Sequence, residues 1–379
     1  MKITTGFLLS NVTELYAAWV FTAATGIVLL LSAYFLLRSW WTNMAVSKSD
    51  RKVELTKKWL YPYIQAVLEE GKSRELVAEH IQSEEDMIIF EEMIFDELDQ
   101  LNGRDGHLYR RLLSMPGLYT YRQKQLFSKD VSERIQACYY FRYLIDESEE
   151  AANRLTYLLE SDEKELVHAA ALALMYSGNV SIREQTLRVV AASQKLDKTA
   201  LLEVIHSFFH GKIKEETPAL KRLIQDITIP EKHTAHIIQS IVQMKYTEMG
   251  EFLFDFYRNN TRWDPECKMR EALINALGNF RVVDAADSIA NDQAGSKKPA
   301  IRSASARALG NFGDPRYVET LEQLAKDEAF EVRIDSVLAL AKCGAEGEKV
   351  LEQLIRQENR FRFNANSEWT HKQNKRQVA

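Results

Sequence analysis

The sequence predicts an all-α protein with one N-terminal transmembrane helix, a helical neck and an α-solenoid of about seven helix pairs. Three features lead to this prediction: an uncharged apolar segment near the N-terminus, apolar residues at helical spacing after it, and a pattern that then repeats every 31–35 residues. Only 15 Gly and 7 Pro serve 379 residues, which favours helices. A net charge of −5 gives no general attraction to nucleic acid.

The segment Ala17–Leu37 is the predicted transmembrane helix. It contains no charged residue, and roughly 20 helical residues cross a bilayer core. Tyr16 and Trp19 mark one end, and Trp40 and Trp41 mark the other, as expected for rings at the headgroup level. A cleaved signal peptide is the alternative, but the long apolar run and the bulky residues after it favour an uncleaved anchor.

Cationic residues flank this segment unequally. Residues 1–16 contain only Lys2, whereas the basic juxtamembrane segment 38–58 contains Arg38, Lys48, Arg51, Lys52, Lys57 and Lys58. Because cytoplasmic flanks carry the excess of Lys and Arg, we expect residues 1–16 outside and the rest of the chain inside. The sequence therefore predicts a single-pass protein of the plasma (inner) membrane with a cytoplasmic C-terminal part.

Residues 59–129 form the predicted helical neck, in which an acidic block precedes a basic one. One interpretation pairs the two blocks with each other. The other makes the basic block a docking surface for a protein partner or the membrane surface. The candidate residues of this surface are Arg110, Arg111, Tyr119, Tyr121, Arg122 and Lys124.

The repeats are clearest near the C-terminus. Arg270, Arg302 and Arg333 are each followed, six and seven positions later, by Ala-Leu. Further upstream the same phase continues more weakly through Arg134, Val167, Ala200 and Ala235. Each unit has room for two amphipathic helices, and one such hairpin cannot bury its apolar faces alone. We therefore predict a stacked array over residues 130–356.

The repeat motifs resemble those of HEAT repeats, particularly the short bacterial, PBS-lyase-like type. The resemblance lies in Val332-Arg333 and in the run Ala-Leu-Gly-Asn-Phe-Gly-Asp-Pro from Ala308 to Pro315. It implies that a loop Asp and a helix Arg form ladders between repeats, so Arg302 and Arg333 are structural. The predicted structural repeat positions are Arg270, Arg302, Arg333, Gly310, Gly313, Asp314 and Gly344.

The tail 357–379 combines basic residues with Phe361, Phe363 and Trp369. Either its start caps the last repeat and its end is frayed, or it is a short motif for a partner or the membrane surface.

No phosphate loop, zinc-protease motif, nucleophile elbow or EF-hand loop occurs in the sequence. The pairs His206/His210 and His233/His236 have helical spacing, but neither has an evident third ligand. We therefore predict no catalytic residues, no metal, no cofactor and no small-molecule ligand.

The predicted function is a membrane-anchored cytoplasmic scaffold, adaptor or regulatory subunit that binds a protein partner through a repeat groove. The partner would belong to a membrane-associated complex, such as a bacterial envelope or exopolysaccharide (glycosyltransferase) system. The alternatives are a lyase-like enzyme with a site in a concave face, and a membrane signalling or sensor component.

Overall fold

The computed structural model describes residues 30, 32–38, 84–98, 104–114, 116–260, 267–293 and 295–357. Residues 32–38 are helical and exposed. Most of the predicted transmembrane segment, the juxtamembrane segment after Arg38 and the tail beyond Gln357 lie outside the described residues. No helix in the described part has the length and apolarity needed to cross a membrane. The transmembrane helix thus stays a prediction.

The chain divides into two compact units, Met1–Arg122 and Gln123–Ala379. In the first, α1 (Glu84–Leu98) packs on α2 (Arg104–Leu113), and α3 (Pro116–Gln125) follows. An apolar stripe of α1 forms the core, since Phe90, Met93, Ile94 and Leu98 are all buried. The acidic residues of α1 lie around this stripe, and Glu91 among them is buried.

The second unit contains fourteen helices among its described residues. They are α4 (Val131–Phe141), α5 (Glu149–Leu158), α6 (Lys164–Met175), α7 (Val180–Ser193), α8 (Lys198–Phe208), α9 (Ile213–Gln225), α10 (Glu231–Gln243), α11 (Gly250–Asn259), α12 (Lys268–Phe280), α13 (Ala285–Ser288), α14 (Pro299–Phe312), α15 (Val318–Leu324), α16 (Phe330–Leu340) and α17 (Gly344–Gln357). Short 3₁₀ turns precede α11 and α15, and a π-helical turn, Ile289–Gln293, continues α13.

These helices alternate between two layers. The odd-numbered helices α5 to α17 form one layer, which we call the first layer. The even-numbered helices α4 to α16 form the other, which we call the second layer, and each of them packs on the next. The predicted repeat positions, from Arg134 to Arg333, all fall within the third to fifth residue of a second-layer helix. The described part therefore has the all-helical repeat architecture that the sequence predicts.

Small residues bring the last second-layer helices close together. A Cβ atom added at Gly278 would lie 2.5 Å from the Cα atom of Ala308. One added at Gly310 would lie 2.5 Å from the Cβ atom of Ala339. At these two positions glycine is needed for helix contact, although it weakens an isolated helix.

Candidate partner-binding surface

Arg302 connects two successive repeats. From α14 its guanidinium donates Nε to Asp327 Oδ2 at 2.6 Å and Nη2 to Asp327 Oδ1 at 2.8 Å, while Nη1 donates to the Ser296 carbonyl. Burial opposes ionisation of Asp327, but the hydrogen bonds from Arg302 and from the Ala329 amide outweigh it, so the pKa of this carboxyl lies below its ordinary value. Arg302 and Asp327 thus fasten α14 to the loop before α16.

Most of the other predicted repeat positions form hydrogen bonds or turns within the array. Arg333 donates to the carbonyls of Asp327 and Glu328. Gly313 and Gly344 have φ angles of 67° and 68°, in the left-handed region that glycine adopts without strain. Asp314 accepts a hydrogen bond from the Arg316 amide, at the start of the turn before α15. Arg270 is half-buried near the start of α12.

A second interior connection centres on Arg183, a fully buried residue of α7. Its Nη2 donates to Glu216 Oε1 of α9 at 2.8 Å, and its Nη1 lies 2.6 Å from His210 Nδ1. Glu216, also fully buried, accepts further hydrogen bonds from the His210 amide and the Tyr246 hydroxyl. His210 Nε2 lies 2.8 Å from the Met175 carbonyl oxygen. We call these four residues, Arg183, His210, Glu216 and Tyr246, the Arg183 cluster.

His210 is exposed as a residue, but the partial burial of its ring and the neighbouring charge make it resist protonation. A carbonyl can only accept, so Nε2 carries the proton and Nδ1 accepts from Arg183. Burial lowers the pKa of His210, and the adjacent Arg183 cation lowers it further. Burial likewise raises the pKa of the Tyr246 hydroxyl, which donates to Glu216. The cluster is thus a neutral histidine and tyrosine around one buried ion pair.

Sequence reasoning missed the Arg183 cluster. It treated His206/His210 as a potential metal pair, but His210 faces Arg183 while His206 Nε2 lies 3.1 Å from Gln243 Oε1. His233 is also engaged, with Nδ1 donating to the Ala191 carbonyl at 2.7 Å. No group of three metal-ligating side chains occurs among the described residues. The available signal was the 33-residue separation of Arg183 and Glu216, which equals a repeat.

The residues of the predicted basic and aromatic surface of the neck differ in their exposure to solvent. Arg111 and Lys124 are exposed, and Arg110, Tyr119 and Tyr121 are partly exposed. The predicted surface position is wrong for Arg122, because this residue is only 4% exposed and its Nε donates to Glu91 Oε2 at 2.7 Å. Burial raises the pKa of Glu91 to about 7, against the opposing effect of Arg122. Arg122 therefore belongs to the interior of the first unit.

The second layer carries exposed aromatic residues at its N-terminal end. The Arg142 guanidinium stacks over the rings of Tyr143 and Tyr176, at 4.5 and 5.0 Å, and it donates to the hydroxyl of Tyr143, which is buried. Tyr176 is 45% exposed and Tyr139, on α4, is 42% exposed. We call Tyr139, Arg142, Tyr143 and Tyr176 the tyrosine–arginine patch. Tyrosine and arginine are enriched at the centres of protein interfaces, so this composition suits a protein partner.

The patch continues into polar side chains of the following second-layer helices. His168 lies on the same face of α6 as Tyr176, two turns away, and its Nε2 is 3.2 Å from Glu203 Oε2 of α8. His206 of α8 then contacts Gln243 of α10. The N-terminal half of the layer thus presents tyrosine, histidine and amide groups.

The C-terminal half of the second layer instead joins its charges to one another. Arg307 of α14 donates Nη1 to Asp335 Oδ2 of α16 at 2.6 Å and Nε to Asn275 Oδ1 of α12 at 3.2 Å. Its Nη2 also reaches Glu271 at 3.5 Å. This ladder links three helices and engages all three guanidinium nitrogens of Arg307.

Comparison with known families agrees with this architecture. A family model described as HEAT repeats matches residues 256–341 and 292–360. HEAT repeats occupy residues 256–360. They correspond to the helices from the end of α11 to α17 and include the three units in which the sequence pattern is clearest. No curated protein matches the sequence.

HEAT repeats generally act as scaffolds for protein interaction and are typically non-catalytic, which fits a scaffold role. The two-layer array supplies a support, and the tyrosine–arginine patch presents the exposed rings of Tyr139 and Tyr176, with the Arg142 guanidinium over Tyr176. The arrangement can therefore hold a protein segment by stacking and hydrogen bonding.

Proposed function

We propose that this protein is a membrane-anchored cytoplasmic scaffold or regulatory subunit that binds a protein partner through the N-terminal half of the second layer. The observation that carries the proposal is the tyrosine–arginine patch on a HEAT-type array. Aromatic rings with few rotatable bonds lose little entropy on binding, so the exposed rings of Tyr139 and Tyr176 suit the centre of a protein interface.

The location belongs to the same proposal. The uncharged segment Ala17–Leu37 and the basic residues after it support an anchor with the array on the cytoplasmic side of a plasma (inner) membrane. The motif resemblance of residues 308–315 to short bacterial HEAT repeats supports a bacterial envelope or exopolysaccharide (glycosyltransferase) system. The partner is then part of a membrane-associated complex.

Co-purification in mild detergent, followed by mass spectrometry, tests the proposal. The test variant is Tyr139→Ala/Tyr176→Ala. The matched control is Phe127→Ala/Tyr157→Ala, because these two exposed rings stack on Arg154 as Tyr143 and Tyr176 stack on Arg142.

We expect the intact chain to retain a specific partner, the test variant to bind it about 30-fold more weakly and the control to bind it as the intact chain does. This magnitude corresponds to about 2 kcal/mol, the loss typical of a central aromatic residue. Equal loss in both variants would contradict the assigned surface. Absence of any specific partner from the intact and the anchor-deleted chain would contradict the function.

A further inference from the structure

Helix α16 ends the described second layer with an exposed apolar face. Phe330 is 56% exposed and Leu338 is 38% exposed, and Ile334, Val337 and Ala341 are half-buried. Positions 330, 334, 337 and 341 recur at helical spacing, so these side chains share one face. The opposite face packs on α14 through Asp335 and Ala339.

In α14, the residues one repeat earlier are the ones that contact the next helix. Ser303, Ala306 and Gly310 precede Ile334, Val337 and Ala341 by 31 residues. Ser303 donates a hydrogen bond to Asp335 of α16, and Gly310 lies against Ala339 of the same helix. Ala306 is fully buried. The exposed face of α16 is therefore the face by which this layer receives a further helix. Ala341 keeps a small residue at the position of close approach.

The sequence continues through the position at which the next second-layer element would begin. The last second-layer helices begin at Lys268, Pro299 and Phe330, so the same 31-residue spacing leads to residue 361. Residues 358–379 follow α17 and include Phe361, Phe363 and several basic residues. The exposed acid Glu331, in the first turn of α16, complements that charge.

The residue types in this segment, taken one repeat after those of α16, also suit a further element of the second layer. Positions 31 residues after Asp335 and Ala339, through which α16 packs on α14, are Asn366 and Thr370. The position 31 residues after the buried Val332 is Phe363. One apolar ring and two small polar residues suit the last element of a solenoid, which must cover its neighbour and present a polar outer side.

We propose that residues 358–379 dock on the exposed face of α16 as the terminal element of the second layer, with Phe363 and Thr370 against Ile334 and Ala341. This contact seals the apolar end of the array within one chain and prevents its association with a second copy. The proposal is independent of the partner-binding function, since it concerns the opposite end of the second layer from the tyrosine–arginine patch.

Cysteine cross-linking in the full chain tests the contact. The pair Ile334→Cys/Asn366→Cys follows the 32-residue separation of Ser303 and Asp335, which are in contact. The control pair Ser181→Cys/Asn366→Cys combines the same tail position with an exposed residue of α7, a first-layer helix. Mild oxidation should give an intramolecular disulfide in the test pair and none in the control, because a disulfide needs Cα atoms within about 7 Å.

Peptide mass spectrometry of separated monomer and dimer identifies the bond. A disulfide confined to the dimer would show that a second copy covers α16 and would overturn the proposal, as would a failure to cross-link. Hydrogen exchange provides a second measurement without cysteines. A chain ending at Gln357 should exchange the amides of residues 333–341 at least about tenfold faster than the full chain, with α12 unchanged. Equal exchange of these amides in the two chains would also overturn the proposal.

Discussion

Arg183 shows how a single residue fixes the middle of the array. Its guanidinium and the Glu216 carboxylate are both fully buried, so each charge depends on the other. The Tyr246 hydroxyl and the His210 amide satisfy further lone pairs of the same carboxylate. This region connects α7, the loop after α8, α9 and the loop after α10 through polar contacts.

We expect Arg183→Met to lower the free energy of unfolding by about 3–5 kcal/mol, because removing one partner leaves an uncompensated buried charge on Glu216. Urea unfolding followed by circular dichroism measures the change. The control Lys326→Met breaks an exposed pair with Glu322 and should cost less than about 1 kcal/mol. A similar, small effect of both substitutions would contradict the role given to the buried pair.

His210 makes the stability of this region depend on pH. Its pKa is lowered by burial and by Arg183, so below its ordinary value of 6.5 the unfolded chain binds a proton that the folded chain does not. Stability should therefore be complete above that value and fall as the pH decreases through it. His233, whose pKa is also lowered by burial, contributes in the same direction.

Urea midpoints at pH 7.5 and 5.5 test this coupling. Glu91, whose pKa is raised, changes the stability in the opposite direction over this range, so variants are compared. The midpoint at pH 7.5 minus that at pH 5.5 should be smaller in His210→Gln than in the wild type, because the group that gains the proton is gone. His210→Gln/His233→Gln should reduce it further. A variant with the unchanged wild-type pH dependence would contradict the protonation argument.

Burial explains which individual residues could be predicted from the sequence. Arg302 was predicted from its place in a repeat motif, and the structure pairs it with a loop aspartate. The basic and aromatic neighbours of Arg122 predict an exposed position, yet Arg122 pairs with Glu91 from another helix. The sequence contains no local signal for such a pair, since the two residues are 31 positions apart and outside the clear repeats.

At the scale of helices, the repeat spacing predicts the second layer well. Arg134, Val167 and Ala200 mark the starts of α4, α6 and α8, although their motifs are weak. In the middle, where the regular motif fades, the Arg183 cluster contributes to the contact between repeats. Toward the C-terminus, Gly278 and Gly310 bring neighbouring helices together instead.

Gly310→Ala tests this close contact. The new methyl group would meet backbone and side-chain atoms of Ala339 at 2.5–2.6 Å, so we expect a loss of about 1–3 kcal/mol from overpacking. The control Gly117→Ala lies in α3, where the nearest atom is Met87 Cε at 4.0 Å, and should be neutral or stabilising by up to about 1 kcal/mol. Thermal unfolding that ranks the two variants in the opposite order would contradict the packing argument.

At the scale of the whole molecule, we propose membrane attachment through Ala17–Leu37 and partner binding through the array. Deleting residues 1–41 should move the protein from the membrane fraction to the soluble fraction, because the uncharged segment is then absent. The full chain should resist extraction by alkaline carbonate. A deletion variant that still required detergent for extraction would show that another part of the chain holds it to the membrane.

The central claim is that the array binds a protein partner through the N-terminal half of its second layer. Its most direct test is photo-crosslinking in intact cells, with a photoreactive amino acid placed at Tyr139 or His206 on the second layer, or at Tyr157 or Arg258 on the first. We predict that the second-layer positions capture one common protein and that the first-layer positions do not. Capture of that protein only from the first layer, or of no protein from any position, would contradict the claim.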